Sequence, residues 1–140
     1  MDDKSWITAL SQARVTAELA RQRFDVYVEL VGKAPFDLIA HKEGLLYRVS
    51  VKSTMSTKCE SGHSWEVQLK RVRSNKTGNA IHKFDPDSCD ILAIYIEQID
   101  KVCFFNPKEI NCTSSITIRE NATSMAKNCW VVDEHLRVWV

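Results

Sequence analysis

The chain has 140 residues and a mass of 16.0 kDa, the size of one folded domain. With 44% hydrophobic residues, 26% charged residues, and only 4 Gly and 3 Pro, its composition is neither disordered nor fibrous. A formal net charge of +1 hides an asymmetry: 14 basic against 9 acidic residues stand up to Lys83, and 5 against 9 beyond it.

Apolar runs such as Ile91 to Ile96 fall far short of the ~20 residues that span a bilayer. The N-terminus also lacks the apolar stretch of a signal peptide, so neither a membrane span nor classical secretion is expected. Five cysteines, an odd number and widely spaced, then predict reduced thiols in a cytoplasmic chain. Cys59 and His63 stand four apart with no second ligand pair after them, which argues against structural zinc.

From Ser5 to about Arg23, Trp6, Leu10, Ala13, Ala17 and Ala20 recur at three- and four-residue spacing. This predicts an amphipathic helix with that stripe as its apolar face. Phe24, Val26, Val28 and Leu30 then alternate up to Gly32, the pattern of a half-buried strand. Phe36–Ala40 and Leu45–Lys52, separated by a turn at Lys42-Glu43-Gly44, read as two strands of a hairpin. The opening order is α-β-β-β.

Ser64 to Val72 alternates enough for another strand, and Arg73 to Ile81 reads as a loop. Asp90–Glu97 and Val102–Phe105 read as a central strand and its neighbour, with Asn106-Pro107 as the stop. Ile116–Ile118 and Trp130–Val132 are expected as edge strands. Asp85-Pro86-Asp87 reads as a turn.

Two features carry chemistry. Asp37 begins one strand of the hairpin and Lys52 ends the other, which brings an acid and an amine to the same end of a sheet. An aspartate is a hard ligand for Mg²⁺, and a lysine can orient water and offset charge on a phosphate. Between Val67 and Phe84 there is no acid, while Lys70, Arg71, Arg73, Lys76 and Lys83 are present, the composition of a segment that contacts phosphates.

The runs Pro35-Phe36-Asp37-Leu38-Ile39 and Tyr47-Arg48-Val49-Ser50-Val51-Lys52-Ser53-Thr54 resemble the PD-(D/E)XK nuclease signature. The likeness is to the branch with Holliday-junction resolvases and intron-encoded homing endonucleases. It implies an α/β (α+β) domain over the whole chain, with a mixed central sheet and an αβββαβ core. It also implies endonucleolytic hydrolysis of double-stranded DNA with Mg²⁺ or Mn²⁺.

Carried over residue by residue, Asp37 matches the metal-binding aspartate, Lys52 the lysine, and the Val51 carbonyl a backbone ligand. The acid of the triplet falls on Ser50 and the glutamate of the first helix on Gln12; neither binds Mg²⁺ as a carboxylate does. Glu66 is the candidate for a displaced acid, and the alternative is a one-carboxylate site using Gln12 and Ser50 through water. Ser53 and Thr54 join the basic segment as candidate phosphate contacts. A long DNA site calls for a homodimer or homotetramer. The competing reading, favoured by Gln12 and Ser50, is a catalytically inactive fold that binds nucleic acid or protein.

Overall fold

The computed structural model describes residues 3–54, 64–75, 78–110, 114–120 and 129–140. The helix α1 (Asp3–Arg21) leads into β1 (Asp25–Val28), β2 (Leu38–Lys42) and β3 (Leu45–Thr54). After these come β4 (Ser64–Gln68), β5 (Arg71–Asn75), β6 (Gly78–His82), β7 (Ile91–Ile96) and β8 (Lys101–Phe105). The last strands are β9 (Ser115–Arg119) and β10 (Cys129–Val131). Three sheets result: a five-stranded one in the order β1-β2-β3-β7-β8, a three-stranded one in the order β10-β9-β4, and the ribbon β5-β6. The expected mixed α+β architecture is present, with β3 and β7 parallel in an otherwise antiparallel first sheet.

The hairpin forms because Glu43 and Gly44 both adopt positive φ, 53° and 80°. Two such residues make the mirror-image turn whose twist suits a two-residue connection. That turn pairs Leu38 with Val49 and Lys42 with Leu45. By the two-residue period of a strand, Val49 and Val51 face α1, whereas Ser50, Lys52 and Thr54 face the other way.

β7 is buried along its whole length because both of its faces are covered. Ile91, Ala93 and Tyr95 join Val15, Leu19, Leu38, Ala40 and Val49 in a core on the helix side. Leu92, Ile94 and Ile96 join Trp65, Val67, Phe105, Ile116 and Ile118 in a second core under the three-stranded sheet.

Three expectations are corrected. The helix packs through Ile7, Ser11, Val15 and Leu19, while Trp6 and Leu10 are 63% and 42% exposed and Ala13, Ala17 and Ala20 face solvent. Both rows have helical spacing, and the longer chains at positions 7, 15 and 19 fill the sheet's surface better than alanines do.

Residues 73–75 and 78–81 are not a loop but belong to an antiparallel ribbon, and the preceding strand ends at Gln68. The ribbon's register sets Val72 opposite Ile81, a single apolar pair too short to register as a periodicity. β9 is the middle strand of its sheet rather than an edge. Where the resemblance implies a second helix between β3 and β7, the described residues of the crossover carry β4, β5 and β6.

The C-terminal segment closes over the helix. The Gln22 side-chain amide donates to the Leu136 carbonyl at 3.2 Å and accepts from the Val138 amide at 2.8 Å, as a strand neighbour would.

Candidate active site

β2 begins at Leu38, opposite Val49, so among the described residues its ladder with β3 does not extend along Ser50 to Thr54. Asp37 stands at this gap. Its amide donates to the Val49 carbonyl at 2.9 Å, and its Oδ2 accepts from the Val51 amide at 2.8 Å. The carboxylate therefore takes the place of a ladder carbonyl at the middle residue of Ser50-Val51-Lys52. In extended backbone, the N–H and C=O of one residue point to the same edge, so the Val51 carbonyl emerges beside Asp37. Asp37 Oδ1 accepts no hydrogen bond among the described residues.

Lys52 is half-buried and follows Val51 directly, so Asp37 and Lys52 are brought to one end of the β2-β3 pair. Ser50 is on the same face of β3 as Lys52 but is only 5% exposed. Its hydroxyl and main chain hydrogen-bond the Cys89 thiol; burial pushes that thiol up, and the Ser50 bonds oppose the shift. Gln12 is half-buried on α1, and its main-chain carbonyl accepts from the Thr16 hydroxyl at 2.8 Å. The helix covers the opposite face of the sheet from Ser50.

Glu66 is exposed, on the side of β4 away from buried Trp65 and Val67. Among the described residues no three His, Cys, Asp or Glu side chains gather to hold a metal. The oxygens at hand, Asp37 Oδ1 and the Val51 carbonyl, fit a hard cation such as Mg²⁺ only in its open form. Such an ion keeps several waters, takes one or two carboxylates, and uses phosphate oxygens of the substrate.

The candidate DNA contacts separate into groups. Ser53 pairs across with Tyr95 on the helix side, whereas Thr54 is buried on the other face opposite Ile96, so adjacent residues present to different faces. Lys70 is half-buried just before the ribbon, its amide donating to the Ser114 carbonyl at 3.2 Å, and Lys83 is exposed just after the ribbon. Arg71 and Arg73 lie on β5 in register with His82 and Ala80. Lys76 falls outside the described residues, as do Cys59 and His63.

One supporting group escaped the sequence reading. Asp85 caps a turn through the Asp87 amide at 2.9 Å, as expected, but Asp90 does something else. Its Oδ2 accepts from the Arg48 amide at 2.8 Å and from Arg48 Nε at 3.2 Å, while Oδ1 accepts from Nη2 at 3.2 Å. The Arg48 side-chain bonds hold the Asp90 carboxyl below the usual carboxylate range. This fork ties the start of β7 to β3 two residues before Ser50. The only signal for it was an acid immediately ahead of an apolar strand.

Among solved structures, the chain is similar to a bacterial homing endonuclease, I-Ssp6803I. The TM-score is 0.77 at 20% identity, over 90% of this chain and 84% of that one, a likeness of fold. Curated proteins give no match. A sequence profile described as PD-(D/E)XK endonuclease matches residues 3–135, nearly the whole chain. The gap in the β2-β3 ladder, the aspartate that fills it and the lysine beside it are therefore set in a chain that belongs to the PD-(D/E)XK endonuclease family.

Proposed function

We propose that the protein is a DNA endonuclease that hydrolyses phosphodiester bonds at the β3 edge with the help of Mg²⁺, Mn²⁺ being a substitute. The observation that carries the reading is the 2.8 Å bond from the Val51 amide to Asp37, which fixes a carboxylate beside the Ser50-Val51-Lys52 triplet. Asp37 and the Val51 carbonyl would hold the ion, which when bound supplies an acidified water and offsets charge on the phosphate. Lys52 holds its ammonium group toward the scissile phosphate and stabilises the charge that develops there. Ser50, tied to Cys89, shapes the floor of the site rather than donating to the ion. Gln12 and Glu66 act through water.

Double-stranded DNA is the substrate class, and the β5-β6 ribbon supports this. A two-stranded ribbon is narrow enough for the major groove, and this one is flanked by Lys70 and Lys83 and carries Arg71 and Arg73. Cutting both strands of a duplex calls for two such sites, hence a homodimer or homotetramer. Among the described residues no helix is long and apolar enough to cross a membrane.

The test is conversion of supercoiled plasmid by wild type and Asp37→Asn, with Mg²⁺ and with chelator. Asparagine keeps an acceptor for the Val51 amide, so the fold is preserved while a metal-binding charge is lost. The variant should cut at least ~100-fold more slowly and bind DNA as well or better, since one negative charge near phosphates is gone. Cleavage by Asp37→Asn at the wild-type rate would overturn the reading. Tight DNA binding with no cutting by wild type would favour the inactive module, for which Gln12 and Ser50 at the positions of the resemblance's acids speak.

A further inference from the structure

The helix α1 shows solvent a more regular apolar row than the one it buries. Trp6, Leu10, Ala13, Ala17 and Ala20 are spaced four, three, four and three residues apart, and all five are exposed. This is the a/d spacing of a coiled-coil seam, distinct from the fourfold spacing of Ile7, Ser11, Val15 and Leu19 against the sheet. Arg14, beside the seam, is drawn aside: its Nε donates to Asp100 at 2.8 Å, and its guanidinium meets Glu18 at 3.5 Å. No unpaired charge stands in the row.

We propose that α1 docks antiparallel against α1 of a second copy of this chain, about a two-fold axis near the middle of the helix. Size decides the direction. The row tapers from Trp6 and Leu10 at one end to three alanines at the other. Antiparallel pairing sets Trp6 over Ala17 and Leu10 over Ala13, large against small in both of these layers with Ala20 beyond them, whereas parallel pairing would stack tryptophan on tryptophan and leave alanines facing a gap.

Charge agrees with size. The helix begins at Asp3 and ends at Arg21, 18 residues or five turns later, on the same line of its surface. Antiparallel pairing brings each acidic start to the partner's basic end and opposes the two macrodipoles. Arg21 is 79% exposed along its side chain, and its guanidinium stands 4.0 Å from Glu18 one turn before it.

The proposal rests on the homo-oligomer reading alone and not on the cutting chemistry, so association is measured without DNA. Sedimentation equilibrium of the full chain should give at least twice the monomer mass, and Leu10→Arg should weaken association at least 100-fold with unchanged circular dichroism. A chain that stays monomeric at all concentrations, or a dimer indifferent to Leu10→Arg, would sink the proposal.

Direction is read from Ala17→Trp. In the antiparallel pair it opposes tryptophan to Trp6 and should loosen the dimer, and adding Trp6→Ala should restore it by reversing the layer. Tightening by Ala17→Trp alone would mean a parallel pair. Capture of a foreign helix in place of a second copy would show as a mixed mass and overturn the self-pairing.

Discussion

The two cores on either side of the five-stranded sheet are assembled in different ways. The helix-side core takes a local half, Val15, Leu19, Phe24, Leu38, Ala40 and Val49, from the first 50 residues, on elements that follow one another in sequence, and completes it with Ile91, Ala93, Tyr95, Val102, Phe104 and Val138 from beyond residue 90. The opposite core gathers Trp65, Phe84, Phe105, Ile116, Ile118 and Val132 from segments scattered over the rest of the chain. The local core frames the edge at which Asp37 meets Val51. The distributed core holds the second sheet, whose β4 leads directly into the basic ribbon. The proposed chemistry and the proposed DNA contact would thus rest on separate packing, joined by β7, which sends Ile91 and Ala93 to one core and Leu92 and Ile94 to the other.

The largest test of this division is Trp65→Ala. Trp65 is fully buried and is among the largest side chains of the distributed core, so its loss should cost about 3–5 kcal/mol. Because β7 is shared, the loss should appear as one cooperative transition in urea, with far-ultraviolet circular dichroism and fluorescence coinciding. Two transitions, with the Asp37 edge surviving the first, would show that the cores fold independently. Trp65→Phe should cost less than the alanine, since the Trp65 Nε1 has no hydrogen-bond partner among the described residues and its removal abolishes a buried orphan donor.

The same division explains what could be read from sequence. The α-β-β-β opening, and with it the placing of Asp37 and Lys52 at one end of the hairpin, is legible because alternation, a Glu-Gly turn and a short motif all act within about 50 residues and point to one answer. The inward face of α1 was not, since periodicity reports that a row exists and not which of two rows meets the sheet. The ribbon was missed because one Val72–Ile81 pair carries too little pattern. The Arg48–Asp90 fork and the Ser50–Cys89 contact join residues about 40 apart, and no local spacing announces such a pairing. Glu66 lies on the exposed side of β4, as the alternation of Trp65 and Val67 predicts, and no local spacing tells whether that side meets Asp37.

A middle-sized effect is expected where β7 is joined to β3. Asp90→Asn removes the charge that Arg48 grips and should cost about 1 kcal/mol at neutral pH, the range of a partly exposed, multiply bonded pair. The Asp90 carboxyl lies below its ordinary value of 3.8 in the fold. Its contribution is therefore full above the unfolded value and lost as pH falls through the folded one. The gap in melting temperature between wild type and Asp90→Asn should be constant from neutrality down to about pH 5 and close towards pH 2. A gap that persisted in acid would assign the effect to packing beside Cys89 rather than to charge.

The smallest effect concerns the turn that sets the register of the site. Glu43 holds φ at 53°, in the left-handed region where a side chain other than glycine, asparagine or aspartate is strained. Gly44 beside it, at φ 80°, already suits the turn. Glu43→Asn completes the Asn-Gly pair favoured in two-residue hairpins and should raise stability by about 0.5 kcal/mol. The gain belongs to the local core alone, because the turn fixes Leu38 opposite Val49 and so leaves Asp37 opposite the open edge of β3. Cleavage should be unchanged, since the turn lies at the far end of the hairpin from Asp37. A variant that is stabilised but cuts more slowly would mean that the hairpin must shift register or twist during turnover. The β2-β3 edge would then be a moving part of the site rather than its fixed frame.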